Sequence, residues 1–207
     1  MATRKTSIKP SPFPDPRPRE VYALVLAAGV GKRMHSRTSK VIHPLAGKPM
    51  VRYVVDAALE AQVQRVMVIV SDPGDEVRAA VGSADRRIGY CVQERPLGTG
   101  HAVLAAEKAL KGLEGTLLIL NGDLPSLRPS TLRTFLDFHL HSSAPLTLLS
   151  AVIPDPGNYG RVVRNYNSEV ARIVEATDAS PEEKQIREIN AGIYCVQLDH
   201  LFKNLKQ

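Results

Sequence analysis

Two short runs of this chain end in residues that can handle phosphate. In VYALVLAAGVGKRM an apolar run turns through Gly29 and Gly31 into Lys32 and Arg33, with Arg37 and Lys40 close behind. Glycines permit a tight bend and close backbone approach, and successive N–H groups in such a bend form a nest for anions. In TLLILNGD an aliphatic run ends in the carboxylate of Asp123. Magnesium prefers carboxylate oxygen together with phosphate oxygen. Cations for a polyphosphate and a carboxylate for its metal are the parts of a nucleotide site. Taken alone, a glycine bend with cations also serves as a structural turn, and Asp123 before Pro125 as a turn residue. The rest of the chain has to decide.

Two familiar phosphate loops are excluded. A Walker A loop needs GxxxxGK[ST], but Gly31-Lys32 is followed by Arg33 and the residue five before Gly31 is Leu26. The dinucleotide fingerprint GxGxxG ends here in Met34, which argues against a dehydrogenase. Other polar residues suit a nucleotide sugar. Gln93 offers an amide that donates and accepts, as a uracil edge requires, or else a solvated strand end. Gly98 and Gly100 flank a helix start that Thr99 can cap. His101 reads as helix packing, and Tyr159 as local packing before Gly160. Glu175 and Asn190 can bind sugar hydroxyls or an acetamido group, although each alone is an ordinary surface residue.

These residues need elements to hold them. Continuous apolar runs predict strands at Val21–Leu26, Arg65–Val70, Arg87–Gln93, Thr116–Leu120 and Leu146–Ile153. Helical spacing falls between them. At Pro49–Gln62 it puts Met50, Val54, Ala57, Ala58 and Ala61 on one face. It recurs in GDEVRAAVG, at Thr99–Leu110 and at Ser130–His141. Apolar strands alternating with helices predict an α/β fold, a doubly wound, mostly parallel Rossmann-like sheet covered on both faces. Ligands of such sheets bind beyond the carboxyl ends of the strands, where both phosphate-handling runs finish. The last third reads as mixed and more antiparallel: a hairpin in RVVRNYNSEVARIVE, a strand in EINAGIYCVQ and a closing helix at Leu198–Leu205.

The 207 residues are 43% hydrophobic and 23% charged, an ordinary globular balance, with no apolar run near the roughly 20 residues a membrane span needs. An arm at 1–19, with proline at every second position from Pro10 to Pro18, reads as a disordered or polyproline-II spacer, leaving a domain at 20–207. Net charge is +6, half of it in the first 20 residues. The body is only mildly basic and lacks a Lys/Arg block with interleaved aromatics. Neither nucleic acid nor a membrane is an expected partner, and a small anionic substrate is. Cys91 and Cys195 lie in apolar runs and read as buried free thiols of a cytoplasmic protein, with no zinc motif.

LAAGVGKRM…SKVIHPLAGKPM resembles the signature of the sugar-1-phosphate nucleotidyltransferases. HPLAGKPM narrows the resemblance to the N-acetylglucosamine-1-phosphate uridyltransferases, the N-terminal half of a bifunctional bacterial enzyme of cell-wall precursor synthesis. QERPLGTGHAV, LILNGDLPSL, PDPGNYGRVVR, ARIVEATDA and EINAGIY match in the same order, so the likeness runs from Val21 to Tyr194. It implies transfer of UMP from UTP to N-acetylglucosamine-1-phosphate with Mg2+ as cofactor. It also implies roles for named residues. Leu26, Ala27, Ala28 and Gly29 contact the nucleotide, Gln93, Gly98 and Thr99 read uracil, and Arg33 and Lys40 hold the phosphates. Asp123 binds magnesium, and Asn121, Gly160, Glu175 and Asn190 contact the substrate sugar.

Three departures from the family pattern bear on activity. Lys32 stands where the family has Thr, and Ser39 where it has Pro before the loop lysine. The family domain continues into a segment carrying an Asn that is a second magnesium ligand. The 207 residues include neither that segment nor the acetyltransferase solenoid, so the domain is expected to be C-terminally truncated relative to the family. The alternative expectation is a nucleotide-sugar-binding protein without catalysis, or a shortened homologue with weak activity.

Overall fold

The computed structural model describes residues 20–29, 39–71, 75–95, 97–142 and 144–205. The expected arm at 1–19 lies outside them, as do Gly31, Lys32, Arg33 and Arg37. The centre of the molecule is strand β1 (Val21–Leu26), which pairs in parallel with β4 (Arg65–Ser71) on one side and β6 (Thr116–Asn121) on the other. β5 (Ile88–Gln93) continues the parallel set beyond β4. The register sets Leu26 beside Ile69 and Asn121, so the chain leaves these strands along one rim.

Alternate residues of each strand feed different cores, because successive side chains point to opposite faces. Ala23, Val25, Val66, Val68, Leu118 and Leu120 pack under α1 (Met50–Glu60), α2 (Asp75–Val81) and α5 (Pro129–His141). Leu24, Met67, Ile69, Leu117 and Ile119 pack under α3 (Thr99–Ala105), α4 (Glu107–Leu110) and α7 (Leu198–Asn204). Cover on both faces is why the strands are apolar throughout rather than alternating. In α1 the fully buried residues are Val51, Val54, Val55 and Ala58, while Met50 is half-buried. Ala57 and Ala61 are buried as well, so the face that sequence spacing gives is the inward one except at Met50, and Val51 and Val55 widen it.

The second half joins this sheet antiparallel. β10 (Glu188–Gln197) pairs with β6 through Tyr194–Gln197 and, on its other edge, with β7 (Leu146–Val152). Where β6 ends, β8 (Arg161–Arg164) meets β10 at Ile189 and forms a hairpin with β9 (Val170–Val174). The pairing of β10 with β7 shifts register between Asn190 and Tyr194, and Gly192 sits in that bulge at φ +71°.

The observed strands match the sequence expectation within a residue at either end. The helix expected over Thr99–Leu110 is instead two, divided at Ala106, whose N–H bonds the carbonyl of Val103 rather than continuing the i−4 ladder. Four small elements were not expected. A 3-10 turn (Lys40–Ile42) leads into a hairpin of β2 (Pro44–Leu45) and β3 (Lys48–Pro49), and this delivers the chain to α1. A short α6 (Pro181–Lys184) is closed by a capping box between Ser180 and Glu183.

Candidate functional site

Along the carboxyl rim of β1, β5 and β6 lies a cleft of about 550 Å3. Leu26, Ala28 and Gly29 line it from the end of β1, and Gln93, Gly98 and Thr99 from the end of β5 and the start of α3. Lys40, Val41, Ala102, Asn121 and Asp123 complete it. Ala27 belongs to the same loop but is buried, its N–H bonded to the carbonyl of Ile69 at 2.9 Å. It fixes the loop and does not line the cleft. Arg33, expected beside Lys40, lies outside the described residues.

Backbone packing holds the two sides together. The N–H of Gly122 donates to the carbonyl of Leu26 at 2.9 Å, and a Cβ on Gly122 would lie only 2.9 Å from that oxygen. Glycine is therefore what lets the Asp123 turn press against the Leu26–Gly29 loop. Across the cleft Lys40 Nζ reaches Asp123 Oδ2 at 2.7 Å, with both side chains partly exposed. The 3-10 turn that begins at Lys40 places its amine there, and Val41 behind it is buried. Ser39, just before, has φ −55° and ψ 134°, a conformation that proline also adopts. At Ser39 the backbone takes a proline-compatible conformation although the residue is not proline.

Gln93 is 5% exposed and its amide nitrogen is bonded from two sides, to the carbonyl of Gly98 at 3.3 Å and to His101 Nδ1 at 3.1 Å. Thr99 does not cap α3: Gly98 holds the cap position, no side-chain cap bond forms, and Thr99 is the first helical residue.

Gly160, Glu175 and Asn190 form a second group. The N–H of Asn190 donates to the carbonyl of Gly160 at 2.9 Å. A Cβ on Gly160 would lie 3.4 Å from a Glu175 carboxylate oxygen. Asn190 is held by its own Nδ2 donating to Tyr194 Oη at 2.6 Å and its Oδ1 accepting from the Gly192 N–H at 3.0 Å. Gly192 in turn abuts Asn121: a Cβ there would come within 2.3 Å of the Asn121 amide nitrogen. The bulge in β10 thus joins this group to the rim that carries Asp123.

Sequence reasoning missed Arg161. It is 3% exposed, and its guanidinium donates to the carbonyls of Gly157 at 2.9 Å and of Tyr159, tying down the loop before Gly160. Tyr159 is 56% exposed, so the expected packing role fails, and Arg161 holds the loop instead. Arginine beside a Gly/Asn loop was the only signal available.

Among the described residues no three His, Cys, Asp or Glu side chains gather into a metal cage. One carboxylate facing a cleft fits magnesium, which keeps much of its shell for water and substrate phosphates.

The MobA-like NTP transferase domain matches residues 23–192. The chain belongs to this family. Among curated proteins it is 48% identical over 188 residues to the bifunctional protein GlmU of Brevibacillus brevis and 45% identical over 183 residues to that of Geobacter metallireducens. Those alignments cover 91% and 88% of this chain but 40% and 38% of the relatives, so the chain spans about 40% of their length. Among solved structures it is similar to a UDP-glucose pyrophosphorylase complexed with UDP-glucose. The TM-score is 0.70 at 20% identity, covering 91% of this chain and 80% of the other, and it shows a shared fold. The nucleotidyltransferase resemblance read from the motifs is the one the comparisons give. Among the described residues no helix is long and apolar enough to cross a membrane.

Proposed function

We propose that this NTP transferase domain transfers UMP from UTP to N-acetylglucosamine-1-phosphate, giving UDP-N-acetylglucosamine and pyrophosphate. The observation that carries the reading is the Lys40–Asp123 pair, 2.7 Å apart in the same cleft as the buried amide of Gln93. A cation for phosphate, a carboxylate for its metal and a base-reading amide share one rim. The identity to GlmU proteins supports the same reading.

In the reaction a sugar-phosphate oxygen bonds to the α-phosphorus of UTP as the bond to the β-phosphate bridging oxygen breaks. The nucleophile is already ionised at neutral pH, so the chain has no proton to remove. The barrier is repulsion between anions plus alignment, and the chain's task is neutralisation and positioning. Asp123 would hold a magnesium ion, which would supply further neutralisation of phosphate charge. With phosphate bound, Lys40 would pair with a phosphate oxygen and leave the Asp123 carboxylate to hold the metal. Arg33 adds a second cation by family resemblance. The backbone of Leu26–Gly29 borders the nucleoside, and Gln93 with Gly98 and Thr99 reads the base. Gly160, Glu175 and Asn190 hold the acetamido sugar, with Asn121 between the two groups.

Chromatography of products from a panel of nucleoside triphosphates and sugar-1-phosphates tests the assignment. UDP-N-acetylglucosamine is the expected major product. A different nucleotide or sugar as best substrate would reassign the specificity. Tight binding of UDP-N-acetylglucosamine with no product formed would make the domain a nucleotide-sugar-binding protein.

A further inference from the structure

The two bonds to Gln93 Nε2 have a chemical consequence. A backbone carbonyl only accepts, so the nitrogen end of the amide must face Gly98. The second amide hydrogen then points at His101 Nδ1, 3.1 Å away. That nitrogen must accept, which leaves the ring proton of His101 on Nε2. Turning the amide over would set its oxygen against the Gly98 carbonyl oxygen and force His101 into its other tautomer to keep a bond. The oxygen of Gln93 is the end left for the cleft that Gln93 lines. His101 does not line that cleft and acts only through Gln93.

We propose that His101 is a positioning residue for the base preference of this site, steadying the Gln93 amide in the orientation the Gly98 carbonyl sets, with its accepting oxygen toward the base. The inference rests on the reading of Gln93 as the base contact. Pyrimidines differ at the edge concerned. Uracil offers N3–H, a donor, whereas cytosine has a bare N3, an acceptor, at the same place. A locked acceptor pairs with the first and opposes the lone pair of the second, and a site built to pair one polar group rejects its mismatch. An amide free to turn would serve both bases.

Calorimetric binding of UTP and of CTP to the wild-type chain, His101→Leu, His101→Asn and Gln93→Leu tests this. The wild type is expected to prefer UTP. His101→Leu should lose about five- to tenfold of that preference, the worth of one hydrogen bond. His101→Asn, whose side-chain oxygen can accept near the Nδ1 position, should keep most of it. A preference that persists in His101→Leu yet vanishes in Gln93→Leu overturns the role of His101 and leaves the Gln93 reading standing. Equal loss in the Leu and Asn variants overturns it as well. A wild-type chain with no preference for UTP, or a preference indifferent to Gln93→Leu, overturns both. Should His101→Leu fail to fold, ring-nitrogen NMR shifts of the wild type decide. An unprotonated Nδ1 with a protonated Nε2 is expected, and the opposite tautomer contradicts the proposal.

Discussion

Lys40 and Asp123 keep 41% and 34% of their side-chain surface in water although their charges touch. Exposed pairs of this kind are worth about 0–1 kcal/mol, so the pair contributes little to folding and little opposes its opening. This separates the two properties a substitution would change. Lys40→Ala and Asp123→Ala should each leave the thermal midpoint nearly unchanged while lowering turnover about 10²–10³-fold, the usual loss on removing one preorganised charge contact. Matched melting curves and initial rates check this, and a folded variant with near wild-type turnover removes that residue from the machinery. Lys40, Gln93 and Asp123 were legible in the sequence because each ends or follows an apolar strand, and such strands end at the ligand rim. His101 and Arg161 were not. Their significance lies in partners that only the folded loops supply, Gln93 Nε2 for one and two loop carbonyls for the other.

Three strands of the antiparallel half meet at the Glu188 carboxylate. It accepts from Arg164 of β8 through both oxygens at 2.7 Å and from Ser150 of β7 at 2.7 Å. The Arg164 hydrogen bonds hold its pKa down at about 2, below the ordinary 4.5, with the Ser150 bond adding to the effect and burial opposing it. A carboxylate depressed in the folded state stabilises fully above its unfolded pKa and loses that contribution as pH falls through the folded one. Denaturant unfolding followed from pH 5 down to about pH 2 should show stability declining over that window, and Glu188→Gln should flatten this part of the decline. An unchanged acid limb in Glu188→Gln would contradict the assignment. A second element-scale expectation concerns Ser39. Its φ of −55° suits proline, so Ser39→Pro should stabilise by about 0.4–1 kcal/mol by restricting the unfolded chain. A drop in thermal midpoint would show that the Ser39 hydroxyl contact to the Gly29 carbonyl, 3.4 Å long, matters more than the geometry implies. Strand positions were readable because a strand buried on both faces is an unbroken apolar run. The two-residue strands Pro44–Leu45 and Lys48–Pro49 are too short for any period to register, and the break at Ala106 leaves the helical spacing intact.

At the scale of the whole molecule, the eight-stranded sheet carries two cores and has the cleft along one rim. Cys195 lies in the core beneath α1, α2 and α5, fully buried, with burial pushing its thiol up to about 12. Cys91 is half-buried on β5, its thiol also raised by burial. A thiol reagent at neutral pH should therefore modify Cys91 first and Cys195 only as the chain unfolds. Equal rates in the folded protein would mean that the sheet opens locally around β10. The doubly wound class was legible because alternating apolar strands and helices admit few other packings. The junction of the two halves was not, since it depends on the bulge at Gly192, where the side chain of Asn121 occupies the place of a Cβ. That junction brings the group around Asn190 to the rim of Asp123, and the central claim is that the two bind one sugar phosphate and one nucleotide side by side. Pyrophosphate release from UTP and magnesium, followed with and without N-acetylglucosamine-1-phosphate, tests it most directly. The account predicts release only when the sugar phosphate is present. Release at the same rate without it, or none in its presence, would contradict the account.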